Sequence, residues 1–264
     1  MKFVFDHDVH IHSQLSLCSQ HPEQTAMGLL NYAKKNHLNT VCVTDHFWSE
    51  RVSGGSSWYS SQNLAHISKI LPLPKDDEVR FLFGCETELN KDGVLGIAKE
   101  DFDKFDFIIV PTTHFHMTDF TLSLAELESP KTRAQAWIDR IDKVLDMNLP
   151  FNKVGFAHLT TGLIYKGDTD KLLETFSLIP TDEMARLFTK AAKLGAGIEL
   201  NAGSMKNAAT YNDLFRPYAV AKECGCKFYV GSDSHRPEGF EGVAEATAYA
   251  VDYLGLDETD KFKL

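Results

Sequence analysis

Seven short apolar runs, each separated from the next by a helix-like segment or loop, constrain this chain more than any other feature of its sequence. In order they read KFVFDHDVHI, NTVCVTDH, RFLFGCETEL, FDFIIVPTTH, KVGFAH, AGIELNAG and KFYVGSDSH. Continuous apolar strands alternating with amphipathic helices form parallel sheets covered by helices, because both faces of such strands are buried. The first helical segment, PEQTAMGLLNYAKKNH, is expected to carry Pro22 and Glu23 in its first turn. SWYSSQNLAHISKIL follows, and then SPKTRAQAWIDRIDKVLDMN, with Ser129 as N-cap ahead of Pro130. TDEMARLFTKAAKLG opens at Thr181 and closes at Gly195. YNDLFRPYAVAKECG and FEGVAEATAYAVDYLGL complete the set. No internal repeat or linker interrupts the pattern, so one domain over residues 1–264 is expected.

The runs share a second property: each is apolar first and turns polar at its C-terminal end. The first ends in His10 and His12, the second in Asp45 and His46, the third in Glu86 and Glu88, and the fourth in His114 and His116. The fifth ends in His158, the sixth in Asn201, and the seventh in Asp233 and His235. In an α/β barrel these ends meet on one face. Burying so many polar groups together is costly unless something pairs them, and a divalent cation does so. Residues two apart in a strand share a face, so His10 and His12 can grip one ion, as can Asp233 and His235. Glu86 directly follows Gly84-Cys85 at the end of the strand core, which makes it a better ligand than Glu88. Gly231 permits a close backbone approach before Asp233. His7, His37 and His66 lie outside the pattern and read as structural.

Charge narrows the partners. Lys and Arg total 27 against 37 Asp and Glu, a net charge of -10, and no basic run occurs. A long nucleic acid is therefore disfavoured. The five cysteines are too scattered for a disulfide framework, and Cys42, Cys85, Cys224 and Cys226 read as structural thiols. The start MKFVFDHD has no apolar core, and no stretch approaches the roughly 18 apolar residues of a membrane span. A soluble, cytoplasmic protein is expected.

The motifs DVHIHS, VTDHF, FGCETEL, TTHFH, GFAHL, ELNAG and GSDSH, in this order, resemble the polymerase-and-histidinol-phosphatase (PHP) superfamily over nearly the whole chain. The resemblance implies a distorted (βα)7 TIM-like barrel with up to three divalent metal ions (zinc, iron or manganese) at the strand ends. It implies His10, His12, Glu86 and Asp233 around the first ion, and His46 and His235 around the second. Glu86, His114 and His158 would hold the third. A further histidine follows the H-x-H pair in such proteins; here His21 stands at a shifted spacing, with Cys18 as the alternative.

Such a cluster lowers the pKa of a bound water and clamps phosphoryl oxygens, so phosphate-ester hydrolysis is expected. A small phosphomonoester such as histidinol phosphate is the favoured substrate. The alternatives are a nucleotide or short-oligonucleotide phosphoesterase and a non-catalytic metal-binding module. Asp45 and His116 are candidates for acid–base or supporting roles, and Arg236 for forking onto phosphate oxygens. Arg51 and Lys206 are weaker rim candidates. Specificity is expected in rim loops 47–63, 115–129, 160–178 and 203–210.

Overall fold

The computed structural model describes residues 1–264. The strands are β1 (His7–Ile11), β2 (Thr40–Val43), β3 (His46–Phe47), β4 (Arg80–Phe83), β5 (Cys85–Thr87), β6 (Ile108–Pro111), β7 (Val154–Ala157), β8 (Gly197–Asn201) and β9 (Lys227–Gly231). The helices are α1 (Ala26–Lys35), α2 (Ser57–Ser60), α3 (Leu64–Ile67), α4 (Pro130–Leu145), α5 (Thr169–Ser177), α6 (Thr181–Leu194), α7 (Ala202–Thr210), α8 (Arg216–Glu223) and α9 (Val243–Leu254). No helix is long and apolar enough to cross a membrane.

All strand pairing within the sheets is parallel, as the continuous apolar runs require. The hydrogen-bond ladder is not a closed seven-stranded barrel. It divides into a three-stranded sheet, β1-β2-β4, and a six-stranded sheet, β3-β5-β6-β7-β8-β9. The division falls where the second and third apolar runs each break in two, at Thr44-Asp45 and at Gly84. A Cβ on Gly84 would lie 2.6 Å from the Phe107 carbonyl oxygen and 2.8 Å from Cys42 Sγ, so the chain passes there only as glycine. Backbone bonds span the breaks, from Gly84 N to Val43 O (2.8 Å) and from Glu86 N to Asp45 O (3.0 Å). At the other side Asp233 N donates to His10 O (2.8 Å) and His12 N to Ser234 O (3.0 Å), so β1 runs beside the end of β9.

A small apolar cluster of Val9, Cys42, Leu82, Phe107, Ile109, Ala157, Tyr229 and Phe262 draws on strands of both sheets and so ties them together. Gly155 and Gly197 make room for the Tyr229 ring. The larger core packs helices on strands around fully buried Trp137, Phe156, Phe176 and Phe188. Each such side chain contributes about 1.5–3 kcal/mol relative to exposure.

Several expected boundaries move. The first strand begins at His7, not Lys2, because the N-terminal residues pair with the C-terminal segment, Phe3 N donating to Leu256 O. Helix α1 begins at Ala26, not at Pro22, because the Thr25 hydroxyl caps it by accepting from Gly28 N. SWYSSQNLAHISKIL breaks into α2, α3 and a 3₁₀ turn, each α turn capped by its own Ser56 or Asn63 side chain. Helices α5 and α7 occupy stretches read as rim loops; Asp168 and Asn201 cap them. Ser129 caps α4 as expected, in a capping box with Thr132, and Gly195 ends α6 in the left-handed conformation.

Candidate metal centre

Glu86, on β5 beside His46 of β3, sits among five imidazoles. Its Oε1 lies 3.6 Å from His10 Nε2, 3.4 Å from His158 Nε2 and 3.9 Å from His114 Nε2. Its Oε2 lies 3.3 Å from His12 Nε2 and 2.9 Å from His46 Nδ1. Asp233 Oδ1 adds contacts to His10 Nε2 (3.4 Å) and His12 Nε2 (3.1 Å). Three overlapping groups emerge whose ligand atoms lie within 4.8 Å of one another: His10/His12/Glu86, His12/His46/His235 and Glu86/His114/His158.

The imidazoles are held from behind. His10 Nδ1 lies 2.7 Å from Glu199 Oε1, and His114 Nδ1 lies 2.7 Å from Glu88 Oε2. His158 Nδ1 meets the Thr113 hydroxyl at 2.9 Å, and His235 Nδ1 donates to the Asp233 carbonyl at 2.8 Å. His12 Nδ1 meets Ser16 Oγ (3.0 Å), whose proton goes to Asp45 Oδ1 (2.7 Å). A ring that donates through Nδ1 turns the lone pair of Nε2 toward the pocket, the tautomer a metal ligand needs. Glu88 is itself anchored by buried Arg140, which also donates to the carbonyls of Leu89, Thr112 and Thr121. The backbone is strained at two of these positions: His158 and Asp233 have φ of 33° and 54°. Each such residue costs about 1–3 kcal/mol and persists where its surroundings fix it.

The field favours cations. Burial alone would lower His10 and His12, but Glu199, Asp233 and Glu86 raise the first well above its ordinary value, and Asp233 and Glu86 raise the second to about 9. Burial would raise the Glu86 and Asp233 carboxyls, yet the surrounding imidazoles hold both well below the usual range. His235 falls to about 4 through burial and the charge of His12. His10 Nε2, His12 Nε2 and Glu86 Oε2 are buried without a hydrogen-bond partner. Unpartnered ring nitrogens facing carboxylates, in a field that draws positive charge, fit a divalent cation that takes the place of the imidazole protons. Imidazole and carboxylate donors suit first-row metals such as zinc.

The remaining expected residues fall elsewhere. His21 is half-buried, accepts from Glu23 N at 3.3 Å, and belongs to none of the three groups. Cys18 is exposed and also lies outside them. Both Asp45 oxygens are engaged by Ser13 and Ser16. His116 reaches solvent with its ring edge-on to His114 at 5.4 Å, and Arg236 is exposed with no side-chain partner. Of the weaker pair, Arg51 reaches Asp101 and Lys206 donates to the Glu241 carbonyl. His7 is structural, accepting from Val230 N.

Glu199 and Arg140 were absent from the sequence reading. The only signal for Glu199 is a carboxylate between the apolar Ile198 and Leu200 of β8. Trp58 was also missed; it packs edge-on to His46 at 5.0 Å.

No family model matches this chain, and no curated protein matches it in sequence. Among solved structures it is similar to the histidinol phosphate phosphatase of Lactococcus lactis, solved with zinc, L-histidinol and phosphate. The match has a TM-score of 0.58 at 15% identity and covers 98% of this chain and 99% of the other. At that identity the likeness concerns the fold.

Proposed function

We propose that this chain is a metal-dependent phosphoric ester hydrolase acting on a small phosphomonoester such as histidinol phosphate. The observation that carries the reading is Glu86, shared by two of three overlapping ligand groups. The fold likeness to a phosphatase whose structure contains zinc, L-histidinol and phosphate supports it. So does the run of β1 beside β9, which favours reading the two sheets as a distorted (βα)7 barrel within one domain over 1–264.

His10, His12, Glu86 and Asp233 would hold one ion, His46 and His235 would contribute to a second, and Glu86, His114 and His158 would hold a third. Zinc, iron and manganese are all compatible with these donors. Bound divalent ions supply an acidified water and positive charge against phosphoryl oxygens. The chain's own residues do the rest. Glu88, Glu199, Thr113 and Ser16 fix the imidazoles in their metal-facing tautomers. Asp45 acts through Ser13 and Ser16, holding the loop that follows β1. His116, exposed at the rim beside His114, is held down to about 4 by partial burial and the charge of His114, so it would act as a proton acceptor rather than a donor. Arg236, free of any partner, neutralises the phosphate as it enters. His21 and Cys18 lie outside the group that contains His46 and His235, and His12 Nε2, with one lone pair, serves one ion at a time.

One observation favours a nucleotide or short oligonucleotide instead: the half-buried Trp58 ring beside His46 offers a surface for a base to stack on. A phosphate-release screen on metal-reconstituted protein tests the two. Release from histidinol phosphate supports the first reading, and activity confined to an oligonucleotide overturns it.

A further inference from the structure

Glu199 joins the two sides of the centre by a route separate from Glu86. Its Oε1 lies 2.7 Å from His10 Nδ1, and its Oε2 accepts from the backbone N–H of His158 at 2.6 Å. His10 belongs to the group with His12 and Glu86, and His158 to the group with His114 and Glu86. The carboxylate is fully buried and meets no cationic side chain other than the His10 imidazole. The chain makes space for it: a Cβ on Gly231 would fall 2.0 Å from Glu199 Oε1 and 2.6 Å from His10 Cβ.

We propose that Glu199 is a positioning residue shared by two metal positions, setting the His10 tautomer with one oxygen and the strained His158 backbone with the other. This rests on the metal-dependent reading above. Acceptance at both oxygens is something only a carboxylate does here. In Glu199→Gln the isosteric amide has one oxygen and one NH₂. Whichever way it turns, the NH₂ confronts a donor, so either His10 loses its acceptor or the His158 N–H goes unpaired. Thr113→Val is the contrast, because Thr113 touches His158 Nδ1 and not His10.

Stepwise zinc binding, followed by calorimetry and metal analysis on the metal-stripped full chain, separates the outcomes. Glu199→Gln, which keeps one acceptor, is expected to weaken one binding step, and Glu199→Leu, which keeps none, two steps, each about 10–100-fold, the range for losing an outer partner of a ligand. A step assigned to His46 and His235 should stay at its wild-type value. Thr113→Val is expected to weaken one step only. An isotherm for Glu199→Leu that superimposes on wild type, or that loses a single step as Thr113→Val does, overturns the proposal. Absence of zinc uptake by wild type overturns it together with the metal-dependent reading, which distinguishes the two failures. Should Glu199→Leu not fold, long-range ¹H–¹⁵N spectra of zinc-loaded wild type decide. Expected is a His10 ring protonated at Nδ1; a ring protonated at Nε2 overturns the assignment.

Discussion

Oε2 of Glu88 lies 2.7 Å from Nδ1 of His114, while Oε1 of the same carboxylate takes a hydrogen bond from Arg140. Glu88 therefore reaches the centre through the His114 imidazole, and through the Tyr59 hydroxyl that also lies 3.5 Å from His46 Nδ1. Glu88→Gln should lower metal affinity at the His114 position about 10–100-fold with the fold unchanged. Equilibrium dialysis against a chelator buffer measures this; an unaltered affinity would sever Glu88 from the centre.

Arg140 is a different case, since its guanidinium satisfies three carbonyls as well as Glu88. Arg140→Met leaves a buried carboxylate without its guanidinium, held by His114, the Tyr59 hydroxyl and the Leu89 N–H, and strands those carbonyls. The expected loss is about 3–5 kcal/mol in urea unfolding. A loss under 1 kcal/mol would mean that water reaches the site and replaces the guanidinium.

Gly155 faces the Tyr229 ring, and a Cβ there would lie 2.4 Å from Tyr229 Cε1. Gly155→Ala should destabilise by about 1–3 kcal/mol through overpacking. Gly155→Ala combined with a smaller residue at 229 should recover part of that loss. Equal stability of wild type and Gly155→Ala would show the interior to be looser than its geometry.

Burial would raise the Asp6 carboxyl, but hydrogen bonds from His7 and Lys261 overcome it and hold the group at about 2. A depressed carboxyl contributes stability that is full above its unfolded value, near 4, and is lost as pH falls toward 2. Asp6 is partly solvated, so the contribution is at most about 1 kcal/mol. Urea midpoints for wild type and Asp6→Asn should differ at pH 5 and converge toward pH 2. A constant difference across that range would contradict the assignment.

Much of the centre was legible because a strand that stays apolar and then ends in His, Asp or Glu marks both its direction and its functional end. His10, His12, His46, Glu86, His114, His158, Asp233 and His235 all announce themselves this way. Glu199 does not, because it sits within its strand and its partners, His10 and His158, are brought to it only by the fold. Arg140 lies on a helix, where a long cation ordinarily faces solvent. The position of His21 depends on the path of the loop before α1, which the Thr25 cap sets and spacing alone cannot convey. Helices α5 and α7 went unread because each is short and begins at a polar cap that also reads as a turn.

Metal-dependent phosphomonoester hydrolysis is proposed at the Glu86 cluster, and His12 is common to two of its three ligand groups. The most direct measurement is phosphate release from histidinol phosphate by wild type and His12→Ala, each metal-stripped and then reloaded with zinc or manganese, with bound metal quantified alongside. Expected are activity in reloaded wild type alone, and a folded His12→Ala protein with reduced metal content and no turnover. Undiminished turnover by the metal-stripped wild type, or by a metal-free His12→Ala protein, would contradict the assignment of this centre.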